Sequence, residues 1–269
     1  MPSAAAIAAP PSVTATRYVA PLREGGSLPA LVEADDDGLY VLKFRGAGQG
    51  PRALVAELVA GRVAELLGLP VPEIVLIEVE RSLGAAEPDP EIQDLLRGSV
   101  GLNVGLDFLP GALPFDPAGS EPPPPERAAE IVWFDALVSN VDRTPRNPNL
   151  LEWHGRLWLI DHGAALYHHH RAGGLAAAAR APFAQIADHV LLPYAAPVAE
   201  ADARLAPLLD RPALDRVAAL IPDPWLEDGP DGGDPDARRA AYADHLAARL
   251  EPPRAFAEEA ERARRRAVA

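Results

Sequence analysis

Cysteine is absent from this chain of 269 residues, which excludes disulfide bonds and metal sites built on thiolates. A protein without disulfides suits a reducing compartment, so we expect a cytoplasmic location. Long apolar runs are missing too, and none approaches the roughly 20 residues of a membrane-spanning helix. The first residues lack the positive charges that open a signal peptide, and we interpret residues 1–15 as a disordered tail.

Positive charge is also scarce, because 25 Lys and Arg residues face 39 Asp and Glu residues and give a formal net charge of −14. Nucleic acids and anionic membranes would be repelled by this charge, so we expect neither as a partner. The charge does not exclude an anionic ligand that arrives with divalent cations. The length suits one large domain or two small lobes.

The first part of the chain has patterns typical of β-strands. Strands are predicted in TRYVAPL, LPALVEA, LYVLKF, LPVPEIVLIEV and SVGLNVGLDFLPG, with turns between them that contain Gly, Asp or Pro. The segment RALVAELVAGRVAELLG has apolar residues at helical spacing and ends at Gly68. Residues 16–112 are therefore predicted to form an antiparallel sheet with one covering helix.

The second part of the chain is predicted to be mostly helical. Residues 113–127 are rich in Pro and are interpreted as a linker loop, and RAAEIVWFDALVSN then has a helical pattern. The segment NLLEWHGRLWLID predicts a β-hairpin with HG at its turn, and the remaining segments favour helices. The predicted fold class is α+β, with a small β-rich N-lobe and a larger α-helical C-lobe over residues 128–269.

Two acids flank the predicted hairpin. Asp142 lies in a loop rich in Pro and Asn before the hairpin, and Asp161 directly follows the apolar run LWLI. An acid in a loop can orient a hydroxyl nucleophile, while an Asn and a second acid can hold a hard cation such as Mg²⁺. Phosphoryl transfer uses this combination together with a Lys that reaches the phosphates.

The first part of the chain offers that Lys. Strand alternation in YVLKF places Lys43 on the opposite face from Tyr40, Leu42 and Phe44, although a lysine that blocks aggregation at a strand edge has the same pattern. Glu57 is a lone acid within the apolar helical segment ALVAELVA. If that helix covers the strand, Lys43 and Glu57 are expected to form a salt bridge that fixes the Lys side chain.

These pieces follow one another in the order of the protein-kinase-like fold, which the chain resembles. The HRD and DFG motifs of ordinary protein kinases are missing, and NVDRTPRN and IDHG are more similar to HipA-like kinases and phosphatidylinositol kinases. The resemblance to the HipA-like kinase-domain family extends over roughly residues 16–200.

This resemblance implies ATP and Mg²⁺ as cofactors and gives each candidate residue a role. Lys43 would hold the α- and β-phosphates, with Glu57 as its partner. Asp142 would be the catalytic acid, and Asp161 would be the main ligand of Mg²⁺.

The remaining roles are less closely specified by the motifs. The second metal ligand is Asn147 by its spacing from the catalytic acid, or Asn149 by its place before a Leu-rich strand. The other candidates are Gly25, Gly26 and Ser27 for covering the phosphates, and Phe108 and Leu109 for contacting adenine. The segment EGGSLP departs from the G-x-G-x-x-G pattern and is also typical of a hairpin turn.

The sequence thus predicts an ATP- and Mg²⁺-dependent kinase whose acceptor is not identified. A protein Ser or Thr, a small-molecule hydroxyl and an inositol-type head group stay open, and the net charge disfavours a membrane lipid. One alternative is a degenerate kinase fold that binds nucleotide or a partner protein without turnover. Another is a metal-dependent hydrolase that uses the pairs Asp161–His162 and Asp188–His189. The hydrolase would leave the Lys and Glu of the first part without a role.

Overall fold

Alternating apolar residues in the first part of the chain form five strands that close into a barrel. The structure is a computed structural model that describes residues 7–22, 28–84, 87–171, 174–227 and 234–269. The barrel strands are β1 (Ser12–Pro21), β2 (Ala30–Ala34), β3 (Leu39–Lys43), β4 (Ile74–Val79) and β5 (Gly101–Asp107). Their order around the barrel is β1-β2-β3-β5-β4, and β1 closes it by pairing in parallel with β4.

This closure corrects two predictions from the sequence. The predicted antiparallel sheet contains one parallel pair, in which Ser12 lies opposite Leu76. The predicted disordered tail is also partly wrong, because strand β1 begins at Ser12, inside that segment. Val13 and Ala15 bury their side chains among those of the other barrel strands. Residues 1–6 of that predicted tail lie outside the described residues.

Helix α1 (Pro51–Leu66) packs on the outside of the barrel and is buried on every side. Every residue from 54 to 64 is buried, which is typical of a helix enclosed in a larger core. Gly61 allows a close approach to β4, since a Cβ atom there would lie 2.4 Å from Cδ1 of Ile74. A second helix, α2 (Pro90–Gly98), was not predicted; its N-cap Asp89 accepts a hydrogen bond of 2.9 Å from the backbone N–H of Glu91.

The rest of the described chain is mainly helical, as predicted. A small sheet contains β6 (Leu113–Pro114), β7 (Leu150–Trp153) and β8 (Arg156–Leu159). The helices are α3 (Pro125–Val138), α4 (Gly174–Ala178), α5 (Val198–Leu205), α6 (Arg211–Ala219), α7 (Pro235–Leu250) and α8 (Ala255–Ala267). The segment PFAQIADHVLLPY, for which a helix was predicted, forms short 3-10 turns at Ala184–Asp188 and Leu192–Tyr194 instead.

The hairpin of β7 and β8 forms as predicted. His154 and Gly155 at its turn have φ angles of 48° and 70°, and positive values at both positions fit the right-handed twist of the strands. The predicted linker, in contrast, begins with strand β6, which pairs with β7. Phe115 follows that strand and is buried, so the start of the linker belongs to the folded core.

The main hydrophobic core joins the two parts of the chain. It contains residues of α1, β4 and β5 together with residues of α3 and the later helices. Helix α3 is almost wholly enclosed in this core. The loop after α3 and the end of β8 thereby come to lie beside β3 and α1. Within the described residues, no helix is both long enough and apolar enough to cross a membrane.

Candidate active site

The loop that follows α3 holds one acid between two amide side chains. The helix ends at Val138, and its C-cap residue Ser139 has a left-handed backbone with φ 53°. The backbone N–H of Asp142 then donates to Oδ1 of Asn140 at 3.1 Å, which fixes the start of the loop. Oδ2 of Asp142 accepts hydrogen bonds from Nδ2 of Asn147 at 2.7 Å and from Nδ2 of Asn149 at 3.3 Å. Both asparagines predicted from the sequence therefore contact the same acid.

The second acid lies where β8 ends and contacts the lysine of β3. Asp161 has a left-handed backbone, with φ 55°, and its Oδ1 atom is 2.8 Å from Nζ of Lys43. Alternation along β3 places Lys43 opposite the barrel interior, as predicted, and β3 is paired on both sides, which excludes a strand-edge role. Burial alone would lower the pKa of Lys43, but the negative charges of Asp161, Glu57 and Asp142 outweigh it and raise that pKa.

Glu57 of α1 is buried beside this pair but does not contact the lysine directly. Its Oε1 atom accepts a hydrogen bond of 3.1 Å from the backbone N–H of His162, and Nδ1 of that histidine lies 3.3 Å away. The predicted salt bridge between Lys43 and Glu57 is therefore wrong, because Asp161 contacts the ammonium group and His162 occupies Glu57. Among the described residues, Oε2 of Glu57 has no hydrogen-bond partner.

Two neighbouring cavities meet at these side chains. The larger has a volume of about 720 Å³ and the smaller about 380 Å³, and Lys43, Asn147 and Asp161 line both. Asp142 and Glu57 line the smaller cavity. The structure thus brings one lysine, three acids and an amide from separate parts of the chain to one cleft.

The larger cavity also has an apolar wall. Phe108 and Leu109, predicted to contact adenine, line it together with Val41 and Leu106. The predicted phosphate-covering residues Gly25, Gly26 and Ser27 lie outside the described residues. Leu22 and Pro29, on either side of that segment, both line this cavity.

A buried network that the sequence patterns did not predict lies under the loop after α3. Arg143 contacts Asp135 of α3, with 2.6 Å between Nε and Oδ2, and both side chains are fully buried. Nε2 of His189 lies 2.9 Å from the same Oδ2 atom. Burial would raise the pKa of Asp135, but the Arg143 charge and the hydrogen bond from His189 lower it well below its usual range. The sequence signal was a lone acid in the apolar helical run IVWFDALV, the pattern that also marked Glu57.

The electrostatics of Asp142 differ from those of the other acids. Burial raises the pKa of this half-buried carboxyl, and the nearby charge of Asp161 adds to the effect. Hydrogen bonds from Asn149 and Asn147 oppose the rise without cancelling it. A carboxyl with a raised pKa in a cleft is a better proton acceptor than an exposed one, which is typical of catalytic groups.

Comparison with known proteins identifies the family. A model of the HipA-like kinase family matches residues 16–252, almost the whole chain. The chain belongs to the HipA-like kinase family. The resemblance predicted from the motifs is confirmed, and it extends beyond the segment on which it was based. No curated protein sequence matches this HipA-like kinase.

Among solved structures, this HipA-like kinase is similar to the crystal structure of a Helicobacter pylori proinflammatory kinase, CtkA. The TM-score is 0.53 at 13% sequence identity, and the match covers 96% of this chain and 98% of that chain. At so low an identity the likeness concerns the fold, and it agrees with the mixed α+β architecture described above.

The hydrolase alternative finds no support in the geometry of this HipA-like kinase. The two histidines point into separate networks, since His162 faces Glu57 and His189 faces Asp135. Asp188 is exposed. Across the described ranges, no three His, Cys, Asp or Glu side chains are grouped so that they hold a metal ion.

The contacts of Glu57 predict a pH dependence of stability. Burial would raise its pKa, but the hydrogen bonds from His162 and the charge of Lys43 lower it from 4.5 to about 2. A carboxyl whose pKa is lower in the folded state than in the unfolded chain stabilises the fold at pH values above its unfolded-state pKa. For Glu57 this stabilisation is lost as the pH falls from 4.5 towards 2. Wild type should therefore lose about 2 kcal/mol more stability between pH 5 and pH 3 than Glu57→Gln does.

Chemical denaturation at both pH values measures this difference. Parallel losses of stability in wild type and Glu57→Gln would show that Glu57 is not ionised in the folded protein.

Proposed function

We propose that this HipA-like kinase is an ATP- and Mg²⁺-dependent phosphotransferase with the two lobes of the kinase-like fold. The observation that most supports this proposal is that one cleft between the barrel and the helical part contains Lys43, Asp142, Asp161 and the two asparagines. Lys43 and Asp161 lie far apart in sequence, and the fold brings Nζ of the lysine to 2.8 Å from Oδ1 of the acid. These residue types are those that phosphoryl transfer requires.

The larger cavity would hold the nucleotide. Its apolar wall of Val41, Leu106 and Phe108 suits the faces of an adenine ring, and Lys43 lies at its polar end. The raised pKa of Lys43 keeps its ammonium group charged, as binding of phosphate oxygens requires. The backbone of β3 fixes where that charge lies, because β3 is paired on both sides.

The donor set beside Lys43 suits Mg²⁺. Carboxylate and amide oxygens are the ligands that this hard cation prefers, and it commonly takes one or two carboxylates and completes its shell with phosphate oxygens and water. Asp161 and one of Asn147 or Asn149 would hold the ion. When bound, it supplies positive charge that stabilises the phosphate oxygens during transfer.

Asp142 would orient the acceptor hydroxyl and accept its proton. It lines the smaller cavity, and its hydrogen bonds to the two asparagines fix the direction of its carboxylate. Its raised pKa brings it closer to the pKa of an effective base. The acceptor would thus enter through the smaller cavity, whose lining includes the small residues Ala47, Gly48 and Ala164.

The acceptor would be a protein or a small-molecule hydroxyl in the cytoplasm. A formal net charge of −14 disfavours an anionic membrane lipid as acceptor, and it disfavours nucleic acid in the same way. The smaller cavity, about 380 Å³, accommodates a single side chain or a small molecule.

The test is release of ADP from ATP by the purified full chain, with Mg²⁺ and with EDTA. We expect ADP release that requires Mg²⁺ and that Lys43→Ala removes, because the phosphates then lose their fixed positive charge. Nucleotide binding without any ADP release would support the alternative of a binding module. Hydrolytic activity in the absence of nucleotide would support the hydrolase and contradict the proposal.

A further inference from the structure

Arg143 directly follows the candidate catalytic acid, yet its side chain points away from the cleft and into the core. The residue is only 1% exposed. Its Nε atom donates to Asp135, and its Nη1 atom donates to two backbone carbonyls, those of Asn149 and Ile160. We propose that Arg143 is a positioning residue, which holds the backbone that presents the candidate metal ligands. This inference rests on the proposed function.

Those two carbonyls lie at or directly before two residues with a left-handed backbone. Asn149 and Asp161 have φ angles of 50° and 55°, in the left-handed region that few residues other than glycine adopt and that Asn and Asp adopt most readily among them. Asn149 contributes one carbonyl directly, and Ile160 contributes the carbonyl of the peptide bond that precedes Asp161. The backbone N–H of Ile160 also donates to the carbonyl of Asn149 at 3.1 Å, so the two positions are joined. A conformation of this kind persists where its surroundings fix it, and it is common at active sites.

Asp135 keeps the guanidinium group in place. Its carboxylate is fully buried and receives Arg143 on Oδ2 and the side-chain amide of Asn140 on Oδ1, the latter at 2.9 Å. The carbonyl side of that same Asn140 amide accepts the backbone N–H of Asp142. One buried acid therefore anchors both the backbone of the candidate catalytic acid and the arginine that follows it.

His189 completes this network as a neutral group. The backbone N–H of Leu191 donates to its Nδ1 atom at 3.0 Å, so Nδ1 carries no proton. The proton is then on Nε2, which donates to Asp135 at 2.9 Å. The positive charge of Arg143 balances the negative charge of Asp135. The carboxylate of Asp135 accepts hydrogen bonds from Asn140, Arg143 and His189.

Lysine would not replace Arg143 in this role. The planar guanidinium group bonds a carboxylate and two carbonyls that lie in different directions, whereas an ammonium group is a compact charge on a flexible stem. Arg143→Lys keeps the charge that balances Asp135 and removes the fixed geometry. Mutations of groups that orient metal ligands commonly weaken metal binding about 10- to 100-fold.

Arg249 provides a matched control. It is a buried arginine of α7, 3% exposed, and its guanidinium group also donates to backbone carbonyls. Its acceptors are the carbonyls of Ala136, Leu137, Ala178 and Ala181. Arg249→Lys therefore disturbs a buried arginine–carbonyl network of similar size without touching the carbonyls of Asn149 and Ile160.

Two measurements on the full-length wild type, Arg143→Lys and Arg249→Lys test the inference. The first is the Mg²⁺ concentration at half-maximal ATP turnover, which should rise about 10-fold or more in Arg143→Lys alone. The affinity for ATP in EDTA should stay unchanged. The second is amide deuterium uptake over residues 149–161, which should become faster in Arg143→Lys and not in Arg249→Lys.

If Arg143→Lys matches Arg249→Lys in both measurements, the positioning role is wrong. A wild type that turns over no ATP would contradict the proposed function instead. In that case the deuterium uptake alone still decides whether Arg143 holds this backbone.

Discussion

Asp161→Asn should lower ATP turnover by about a thousandfold, because metal-ion stabilisation of the transferred group contributes several kcal/mol. The asparagine has nearly the same size as Asp161 but lacks the negative charge that a divalent cation needs. It also leaves the ammonium group of Lys43 without its 2.8 Å carboxylate partner. Nucleotide binding in this variant should no longer depend on Mg²⁺. Turnover and calorimetric titration with and without Mg²⁺ measure both effects.

Asp188→Asn is the control for this substitution. Asp188 is the exposed last residue of the turn Ala184–Asp188 and lines neither cavity of the cleft, so the same change of charge should leave turnover and Mg²⁺ dependence as in wild type. Asn149→Ala and Asn147→Ala then distinguish the two candidates for the second ligand, since the true ligand should show the larger loss. Full activity in Asp161→Asn would contradict the assignment of the metal site.

Asp142→Ala should keep nucleotide affinity and lose transfer. We expect turnover to fall about 10²- to 10⁴-fold, the usual contribution of a positioned general base. Nucleotide affinity should persist because Asp142 lines the smaller cavity and not the larger one proposed for the nucleotide. The variant also removes a negative charge that lies close to Asp161. ADP release and nucleotide titration, run side by side, separate the two properties.

The pH profile of wild type adds an independent check on Asp142. Burial and the charge of Asp161 raise its pKa above the ordinary value of 3.8. Because the protonated carboxyl cannot accept a proton, turnover should decline with falling pH at values above 3.8. Equal losses of nucleotide affinity and turnover in Asp142→Ala would instead assign this acid to nucleotide binding.

Local sequence patterns predicted much of the fold and of the candidate site. Alternation in YVLKF places Lys43 opposite the barrel interior, and the lone acid of α1 does lie beside it. The hairpin with HG at its turn and the helix before it form where the sequence predicts them. Each of these features depends on neighbouring residues, which a sequence displays directly.

The features that sequence analysis missed depend on distant contacts. The barrel closes through a parallel pairing of β1 with β4, and nothing in either strand specifies its partner. The choice of Asp161 over Glu57 as the contact of Lys43 depends on where the hairpin returns the chain. Arg143 directly follows Asp142 in the sequence, but the turn after α3 directs its side chain to the distant Asp135 instead.

Calorimetric titration of the wild-type chain with ATP, with Mg²⁺ and with EDTA, measures whether the cleft binds the nucleotide together with the metal ion. We expect saturable binding at or below millimolar ATP when Mg²⁺ is present, and weaker binding in EDTA. Absence of any nucleotide affinity at millimolar ATP with Mg²⁺ would contradict both the kinase proposal and the alternative of a module that binds nucleotide without turnover.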